Sequence, residues 1–295
     1  MPAAEVVIDE RLVRRLLAEQ HPDLAGLTLR LLANGWDNVV YRLGDELCIR
    51  LPRRQAAAVL IEHEQRWLPA IAGRLSLPIP APVRVGCPGS GYPWPWSVTP
   101  YFDGRTAAEQ PPSDEAAAID TLATFITELH IDAPGDAPPN PFRGVPLIDR
   151  DDVFRQRVRQ LAGLVDGPAA LAVWDDGLAA PVWSGPPQWL HGDLHSHNLI
   201  VGGGRITAVI DFGDITAGDP ATDMYGAWTF AAPAGRERFR QVLDIDDATW
   251  ARARGWAVGL GVAIVANSAD NPLMATVGER TLAAALEHDG PAVVR

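Results

Sequence analysis

The chain has 295 residues, 47% of them hydrophobic, which is enough for one large core or for two packed lobes. Its formal net charge is −12, from 37 acids against 25 bases, and no run of basic residues stands out. This balance argues against nucleic acid as a partner, because phosphate backbones are bound through clustered basic side chains. The longest apolar run, Trp256–Ala266, is too short to span a bilayer, and the N-terminus lacks a signal-peptide core. We therefore expect no membrane partner and a cytoplasmic location; the sequence leaves the oligomeric state open.

The first third of the chain predicts β structure with helices at its edges. Asp9 can cap a helix that runs to about Glu19, since Val13, Leu16 and Leu17 recur at helical spacing. Strand-like runs and one long helix follow. The predicted strands are 27–32, 38–43, 46–51, 81–86 and 94–102, and the helix is 55–75.

The helix predicted over 55–75 carries an acid within its apolar stripe. Glu64 lies three or four residues from its apolar neighbours, whereas Glu62 points elsewhere. An acid on a buried helix face needs a partner, so we expect Glu64 to form an internal ion pair unless the edge of the stripe reaches water there.

Beyond a break at Phe102-Asp103-Gly104 the chain turns helical. A helix is predicted over 114–130, a proline-rich loop over 133–146, and further helices over 152–165 and from Asp223 to about Glu287. The predicted class is therefore α+β, with a small β-rich lobe (1–102) followed by a larger, mostly helical lobe (103–295).

The stretch WLHGDLHSHNLIV, residues 189–201, allows two interpretations. In an extended strand His191, Asp193, His195 and His197 would share one face and could hold zinc, as in a metal-dependent phosphohydrolase. Gly192 and the apolar run that follows indicate a turn instead, which favours a catalytic loop.

Two β-branched runs, 199–201 and 206–210, flank a glycine-rich turn and predict a β-hairpin. The hairpin brings Asn198 and Asp211 to the same end of one ladder. An amide oxygen and a carboxylate are hard donors that suit Mg²⁺. Asp193 would lie in the loop that faces the same point.

At these residues the chain resembles the aminoglycoside phosphotransferase family, small-molecule kinases with a protein-kinase-like fold that include a macrolide branch. Asp193 and Asn198 have the Asp-x-x-x-x-Asn spacing of the kinase catalytic loop, and Asp211-Phe-Gly matches the metal-binding motif after it. HGDLH, IDFGD, GWDNVVYRL, CIRLPRR and EQRWLP extend the resemblance to nearly the whole chain.

The resemblance implies a role for each matching residue. Asp193 would accept or orient the substrate hydroxyl, and Asn198 and Asp211 would hold Mg²⁺, with ATP or GTP as phosphate donor. The residues implied in nucleotide binding are Gly35, Asn38, Arg50, Glu64, Thr99, Tyr101 and Phe102. Those implied as support for the catalytic loop are His191, His195 and Asp219.

Arg50 stands where the kinase pattern has a lysine. All 25 bases of this chain are arginine, so the exchange is compatible with retained function. A guanidinium can clamp phosphates and pair with Glu64, although arginine and lysine are not equivalent in geometry. A nucleotide-binding module that has lost catalysis is therefore an alternative.

The predicted function is transfer of the γ-phosphate to a hydroxyl of a small molecule, an aminoglycoside-type or related antibiotic. A macrolide or a primary metabolite such as an amino alcohol or sugar is the alternative acceptor, and antibiotic resistance does not follow from the family alone. A cationic acceptor would need acids, and a macrolide would need an apolar pocket. The acids available are Asp214, Asp270, Glu279 and Glu287, and the apolar candidates are Trp228, Phe230 and Trp256.

Overall fold

A computed structural model describes residues 3–287, in which the chain divides into two compact units. Within these residues, the first unit comprises 3–103 and Ala208–Gly213, and the second comprises Gly104–Thr207 and 214–287. The second predicted lobe was drawn to residue 295, and its end, 288–295, lies outside the described residues.

The first unit is built on a five-stranded antiparallel sheet in the order β1-β2-β3-β5-β4. Two helices accompany the sheet. The elements are α1 (Glu10–Gln20), β1 (Leu29–Asn34), β2 (Asn38–Leu43), β3 (Leu47–Pro52), α2 (Gln55–Ala72), β4 (Arg84–Gly86) and β5 (Trp96–Pro100).

Local chemistry explains where these elements begin and end. The Asp9 carboxylate accepts a hydrogen bond from the Leu12 amide at 2.8 Å and so caps α1. Gly44, with φ +60°, turns the β2–β3 hairpin. The predicted strand 81–86 shrinks to β4 because Pro80 and Pro82 supply no N–H to a ladder.

The second unit is mostly helical and carries two small sheets, β6-β8-β9 and β10-β7. Its helices are α3 (Glu115–Leu129), α4 (Asp151–Gln160), α5 (Gly167–Ala179), α6 (Ala221–Met224), α7 (Pro233–Val242), α8 (Asp247–Asn267) and α9 (Pro272–Leu286). Its strands are β6 (Arg105–Thr106), β7 (Gln188–Leu190), β8 (Leu199–Gly202), β9 (Arg205–Val209) and β10 (Thr216–Gly218). No helix within 3–287 is long and apolar enough to cross a membrane.

Helix α5 was not predicted from the sequence. Its contact with α8 combines a close approach of two glycines with one large side chain, Trp174, whose ring lies against Gly259. Gly177 lies so close to Gly255 that a Cβ on Gly177 would stand 3.2 Å from the Gly255 Cα. Because glycine and alanine take half of the buried positions, the helix has little amphipathic periodicity, which is the signal that sequence analysis uses.

Candidate active site

The loop between β7 and β8 is anchored by a buried carboxylate. Asp223, on α6, accepts hydrogen bonds from the amides of His191 at 2.7 Å and Gly192 at 2.8 Å. His130 Nε2 lies 3.0 Å from the same carboxylate. Burial alone would raise the pKa of Asp223, but the hydrogen bond and charge of His130 outweigh it and lower that pKa. Gly192 has φ +84°, and a Cβ there would stand 2.4 Å from the Asp214 carbonyl oxygen, so only glycine fits.

Asp193 is the loop residue whose carboxylate is partly exposed, with 26% of its side chain accessible. His195 Nε2 lies 3.3 Å from its Oδ2, and Arg143 Nη2 donates to its Oδ1 at 3.2 Å. Burial raises the pKa of Asp193, but His195 first, and then Arg143, lower it well below its usual range. The carboxylate is therefore ionised at neutral pH.

Asn198 closes the loop from its other end. Its amide nitrogen donates to the Asp193 carbonyl at 2.8 Å, and its backbone N–H donates to the His195 carbonyl at 2.8 Å. The residue is 3% exposed. These bonds hold the backbone between Asp193 and Asn198 in one conformation.

The first unit contains an ion-pair group around Arg50, on β3. Arg50 Nη1 donates to Glu64 Oε2 at 2.5 Å, and its Nη2 donates to Asp211 Oδ1 at 3.3 Å. Glu64 is fully buried, whereas 57% of the Asp211 side chain is exposed. The internal ion pair predicted for Glu64 is thus confirmed.

Asp211 has an unusual backbone for a residue with a side chain. Its φ is +64°, in the left-handed region that favours glycine. It lies two residues beyond the end of β9, after Ile210, so the turn sets the direction in which the carboxylate leaves the strand. A non-glycine residue in this conformation is typical of functional turns.

The other residues predicted to bind nucleotide all lie in the first unit. The Gly35 amide donates to the Asn38 carbonyl at 2.9 Å, which closes the turn between β1 and β2. Thr99 is 1% exposed on β5. The Tyr101 amide donates to the Glu46 carbonyl at 2.7 Å, so this N–H is used within the protein, whereas Phe102 is half-buried.

Asp219 does not have the contacts that the sequence analysis expected. Its carboxylate pairs with Arg252 of α8, at 2.7 Å from Nε, and accepts from the Ala221 amide at 3.0 Å. Both side chains of this ion pair are nearly buried. The carboxylate that binds the loop between β7 and β8 is Asp223, four residues later, because α6 places it beside the loop amides.

The structure also contradicts the prediction that Trp228 and Trp256 could line an apolar pocket for a macrolide acceptor. Trp228 is 1% and Trp256 is 3% exposed, so both indoles are core residues, and the Trp228 ring packs on Trp250 at 4.3 Å. Among the acids, Glu279 is exposed on α9, and Asp214 accepts from the Asn140 side-chain amide at 2.7 Å.

Sequence analysis missed Arg143, which contacts Asp193 from the proline-rich loop. The loop is held on both sides of it: the Phe142 amide donates to Asn140 Oδ1 at 2.8 Å, and the Gly144 amide donates to Thr222 Oγ1 at 3.1 Å. Arg143 is the only arginine between 133 and 146, and that was the signal available in the sequence.

The histidine-metal interpretation receives no support from the geometry. His191 Nδ1 accepts from the Asp193 amide at 3.1 Å, and His195 faces the Asp193 carboxylate. Over residues 3–287, no group of three or more His, Cys, Asp or Glu side chains is arranged to hold a metal ion.

Solved structures share this fold over most of the chain. Aminoglycoside 2'-phosphotransferase-IIIa in its GDP complex has a TM-score of 0.72 and 19% identity, covering 94% of this chain and 99% of that one. The macrolide 2'-phosphotransferase of Brachybacterium faecium has a TM-score of 0.62 and 22% identity, covering 93% and 96%. The predicted two-lobed, protein-kinase-like α+β fold is confirmed.

The chain belongs to the phosphotransferase enzyme family, whose model matches residues 28–256. This confirms the predicted family and the predicted enzyme class, a small-molecule kinase. The uncharacterized protein YcbJ of Bacillus subtilis (strain 168) is 34% identical over 126 residues, or 39% of this chain. That match spans 38% of the length of the curated relative.

Proposed function

We propose that this chain transfers the γ-phosphoryl group of ATP or GTP to a hydroxyl group of a small molecule. The observation that carries the proposal is the anchoring of the catalytic loop. Asp223 binds the amides of His191 and Gly192, and Asn198 binds the Asp193 carbonyl, so the Asp193 carboxylate is fixed while a quarter of its side chain stays accessible. Positioning of this kind is the main contribution of a protein to phosphoryl transfer.

In the proposed reaction Asp193 binds the acceptor hydroxyl. The hydroxyl oxygen bonds to the γ-phosphorus while the bond from that phosphorus to the β,γ-bridging oxygen breaks. The hydroxyl proton passes to Asp193 and then to solvent, and a nucleoside diphosphate leaves. The low pKa of Asp193 makes it a weak base that orients the hydroxyl and takes the proton late, as a loose transition state allows.

The residues expected to hold Mg²⁺ have suitable chemistry. Asn198 uses its amide nitrogen within the loop, which leaves the amide oxygen as the donor for a cation. Asp211 is more than half exposed and adds a carboxylate oxygen. Both are hard oxygen ligands of the kind that Mg²⁺ prefers, and bound Mg²⁺ would neutralise charge on the nucleotide phosphates.

We assign nucleotide binding to the first unit and acceptor binding to the second. Arg50 offers the phosphates a guanidinium that Glu64 keeps in place. Among solved relatives, one is a GDP complex and another, aminoglycoside phosphotransferase APH(2'')-Ib, is ADP-bound, which supports a purine nucleotide as donor.

The solved relatives differ in the class of antibiotic that their names give. One aminoglycoside phosphotransferase was solved with GDP and kanamycin, and another relative is a macrolide phosphotransferase. In this chain Trp228 and Trp256 are buried, which does not support a macrolide pocket built on them, and Asp214 is engaged by Asn140 and Arg143. An aminoglycoside-type acceptor stays a prediction.

The test is transfer of labelled γ-phosphate from ATP and, separately, GTP with Mg²⁺ present. Aminoglycosides, macrolides, amino alcohols and sugars serve as acceptors, and Asp193→Asn is compared with Asp176→Asn, an exposed aspartate on α5. We expect label transfer that Asp193→Asn abolishes, with nucleotide affinity retained. Equal turnover in Asp193→Asn and Asp176→Asn would refute the proposal, and nucleotide binding without transfer to any acceptor would favour the catalytically silent module.

A further inference from the structure

Three arginines occupy the segment that leads from the proline-rich loop into α4: Arg143, Arg150 and Arg157. We call them the arginine triad. All three are half-buried, in a chain whose net charge is −12. The same segment also carries Asp149, Asp151 and Asp152, so the triad is informative through its position beside Asp193 rather than through an excess of positive charge.

Arg143 is held rigidly next to Asp193. Its backbone lies between Phe142 and Gly144, whose amides are both bound to side chains, as described above. Its guanidinium reaches Asp193 at 3.2 Å and Asp214 at 3.8 Å. The triad therefore begins at the proposed reaction centre.

Arg150 and Arg157 extend the triad into α4. Arg150 ends the short turn that precedes α4, and Arg157 lies on α4 seven residues later. The Arg150 guanidinium lies over the Phe142 ring, 5.0 Å from its centroid, so it stays beside the Arg143 loop. Neither residue forms an ion pair with an acid within 3–287, whereas Arg155 on the same helix pairs with Asp151 and with Asp175.

The electrostatics separate Arg143 from the other two arginines. Burial lowers the pKa of Arg143, but the charges of Asp214 and Asp193 outweigh it and raise that pKa. Burial lowers the pKa of Arg157, and the positive charge of Arg143 lowers it further. Burial also lowers the pKa of Arg150, and Arg157 and Arg143 add to the effect, against the opposing charge of Asp149. Positive charges that are partly desolvated and repel one another are stabilised by an anion that binds between them.

We propose that Arg143, Arg150 and Arg157 form an anion-binding subsite beside Asp193, so that the acceptor is a hydroxyl compound that also carries a carboxylate or phosphate group. The proposal rests on the proposed function, because it takes Asp193 as the residue that binds the acceptor hydroxyl. Guanidinium groups recognise carboxylate and phosphate alike, through paired charge-assisted hydrogen bonds. The triad would repel a polycationic antibiotic, so this inference replaces the predicted aminoglycoside-type acceptor with an anionic one.

The first experiment measures anion binding alone. Inorganic phosphate and citrate are titrated into the whole chain by calorimetry, with and without Mg²⁺–ADP to occupy the nucleotide site. Arg150→Gln and Arg157→Gln are compared with wild type and with Arg159→Gln, an exposed arginine on α4 outside the triad. We expect each triad variant to weaken binding about tenfold or more, as loss of a charge-assisted hydrogen bond does, and Arg159→Gln to leave it unchanged. Unfolding midpoints close to that of wild type verify that the variants are folded.

The second experiment compares acceptors that share a sugar ring and differ in charge: glucose, glucosamine, glucuronate and glucose 6-phosphate. Each is tested as a phosphate acceptor and as an inhibitor of transfer to any acceptor already found. We expect the two anions to bind and the neutral and cationic sugars to bind much more weakly. The ratio of glucuronate to glucose 6-phosphate affinity separates a carboxylate from a phosphate specificity.

The outcomes separate this proposal from the proposed function. Anion affinities that are equal in wild type, Arg150→Gln and Arg157→Gln would overturn the subsite, and so would preferential binding of glucosamine. Unchanged turnover in Asp193→Asn would instead overturn the proposed function, and arginine-dependent phosphate binding would then stand as a property of the triad alone.

Discussion

Among the residues proposed to act in the reaction, each compact unit contains an arginine that lies between two carboxylates, and the two groups differ in burial. The Arg50 group consists of Arg50, Glu64 and Asp211, and its closest contact, 2.5 Å, is to a carboxylate with no exposed surface. The Arg143 group consists of Arg143, Asp193 and Asp214, with contacts of 3.2 and 3.8 Å to carboxylates that are 26% and 32% exposed.

The difference in burial indicates a difference in task. A buried, tight ion pair is shielded from water, so Glu64 fixes the direction of Arg50 while Asp211 makes the longer contact. A partly exposed pair is weaker and can exchange partners, so a substrate can take the place of Asp193 or Asp214 on Arg143. The first group is suited to holding a phosphate chain in a constant geometry, and the second to admitting and releasing an acceptor.

The largest effect is expected on removal of the charge at Asp193. Asp193→Asn keeps the shape of the side chain but cannot accept the hydroxyl proton, so kcat should fall by roughly 10²–10⁴-fold. Nucleotide affinity should stay close to that of wild type, because the substitution leaves the Arg50 group untouched. Steady-state kinetics with calorimetric nucleotide binding measures both; a parallel loss of nucleotide affinity would mean that the two groups do not have separate tasks.

The second-largest effect is expected on removal of the charge of Glu64, the buried partner of Arg50. Glu64→Gln leaves the Arg50 guanidinium buried with only Asp211 as an acid partner, and breaking a buried pair costs about 3–5 kcal/mol of unfolding free energy. Urea unfolding followed by circular dichroism measures it. Glu62→Gln, on the exposed side of α2, is the matched control and should change stability by less than about 0.5 kcal/mol. Equal stabilities of the two variants would contradict the assigned role of the pair.

The carboxylate of Asp223 provides a further test, through the pH dependence of stability. The pKa of Asp223 is lower in the folded chain than the unfolded value of about 3.9. Its stabilising contribution is therefore fully present above that value and is lost as the pH falls through the folded pKa. The difference in urea midpoint between wild type and Asp223→Asn should be constant from about pH 6 to 5 and shrink below about pH 4. A difference that stayed constant, or grew, on acidification would show that Asp223 is not held ionised by His130 and the loop amides.

The smallest effect on stability is expected at Arg143. Because its partners are partly exposed, Arg143→Gln should cost less than about 1 kcal/mol of unfolding free energy, in contrast to Glu64→Gln. The KM for the acceptor should rise while nucleotide affinity stays constant. Thermal unfolding together with acceptor titrations checks both, and a destabilisation as large as that of Glu64→Gln would remove the distinction between the two groups.

The parts of the site whose position is set by a regular helix or strand could be predicted from the sequence. Asn198 and Asp211 flank a hairpin, and Glu64 falls on the apolar face of α2, so their environments follow from strand pairing and helical periodicity. Strand β2 was predicted with the bounds that it has.

The missed parts depend on tertiary contacts. Arg143 meets Asp193 across fifty residues from a loop without periodicity, and nothing local marks its partner. The sequence analysis assigned support of the loop to Asp219, whereas Asp223 provides it. Which of the two carboxylates meets the loop amides depends on where α6 begins, and sequence specifies the boundaries of elements poorly. Trp228 and Trp256 were misassigned because an aromatic side chain in a core and one in a pocket have the same local pattern.

The backbone of Asp211 has an evolutionary consequence. Its left-handed conformation, φ +64°, costs on the order of 1 kcal/mol that glycine would not incur. A chain selected only for thermal robustness would therefore drift to glycine at this position and lose the exposed carboxylate beside Arg50. On the proposed role of Asp211 in holding Mg²⁺, aspartate at this position gives up stability for activity, so its replacement by glycine in a natural variant would be an early mark of a lineage released from catalytic selection.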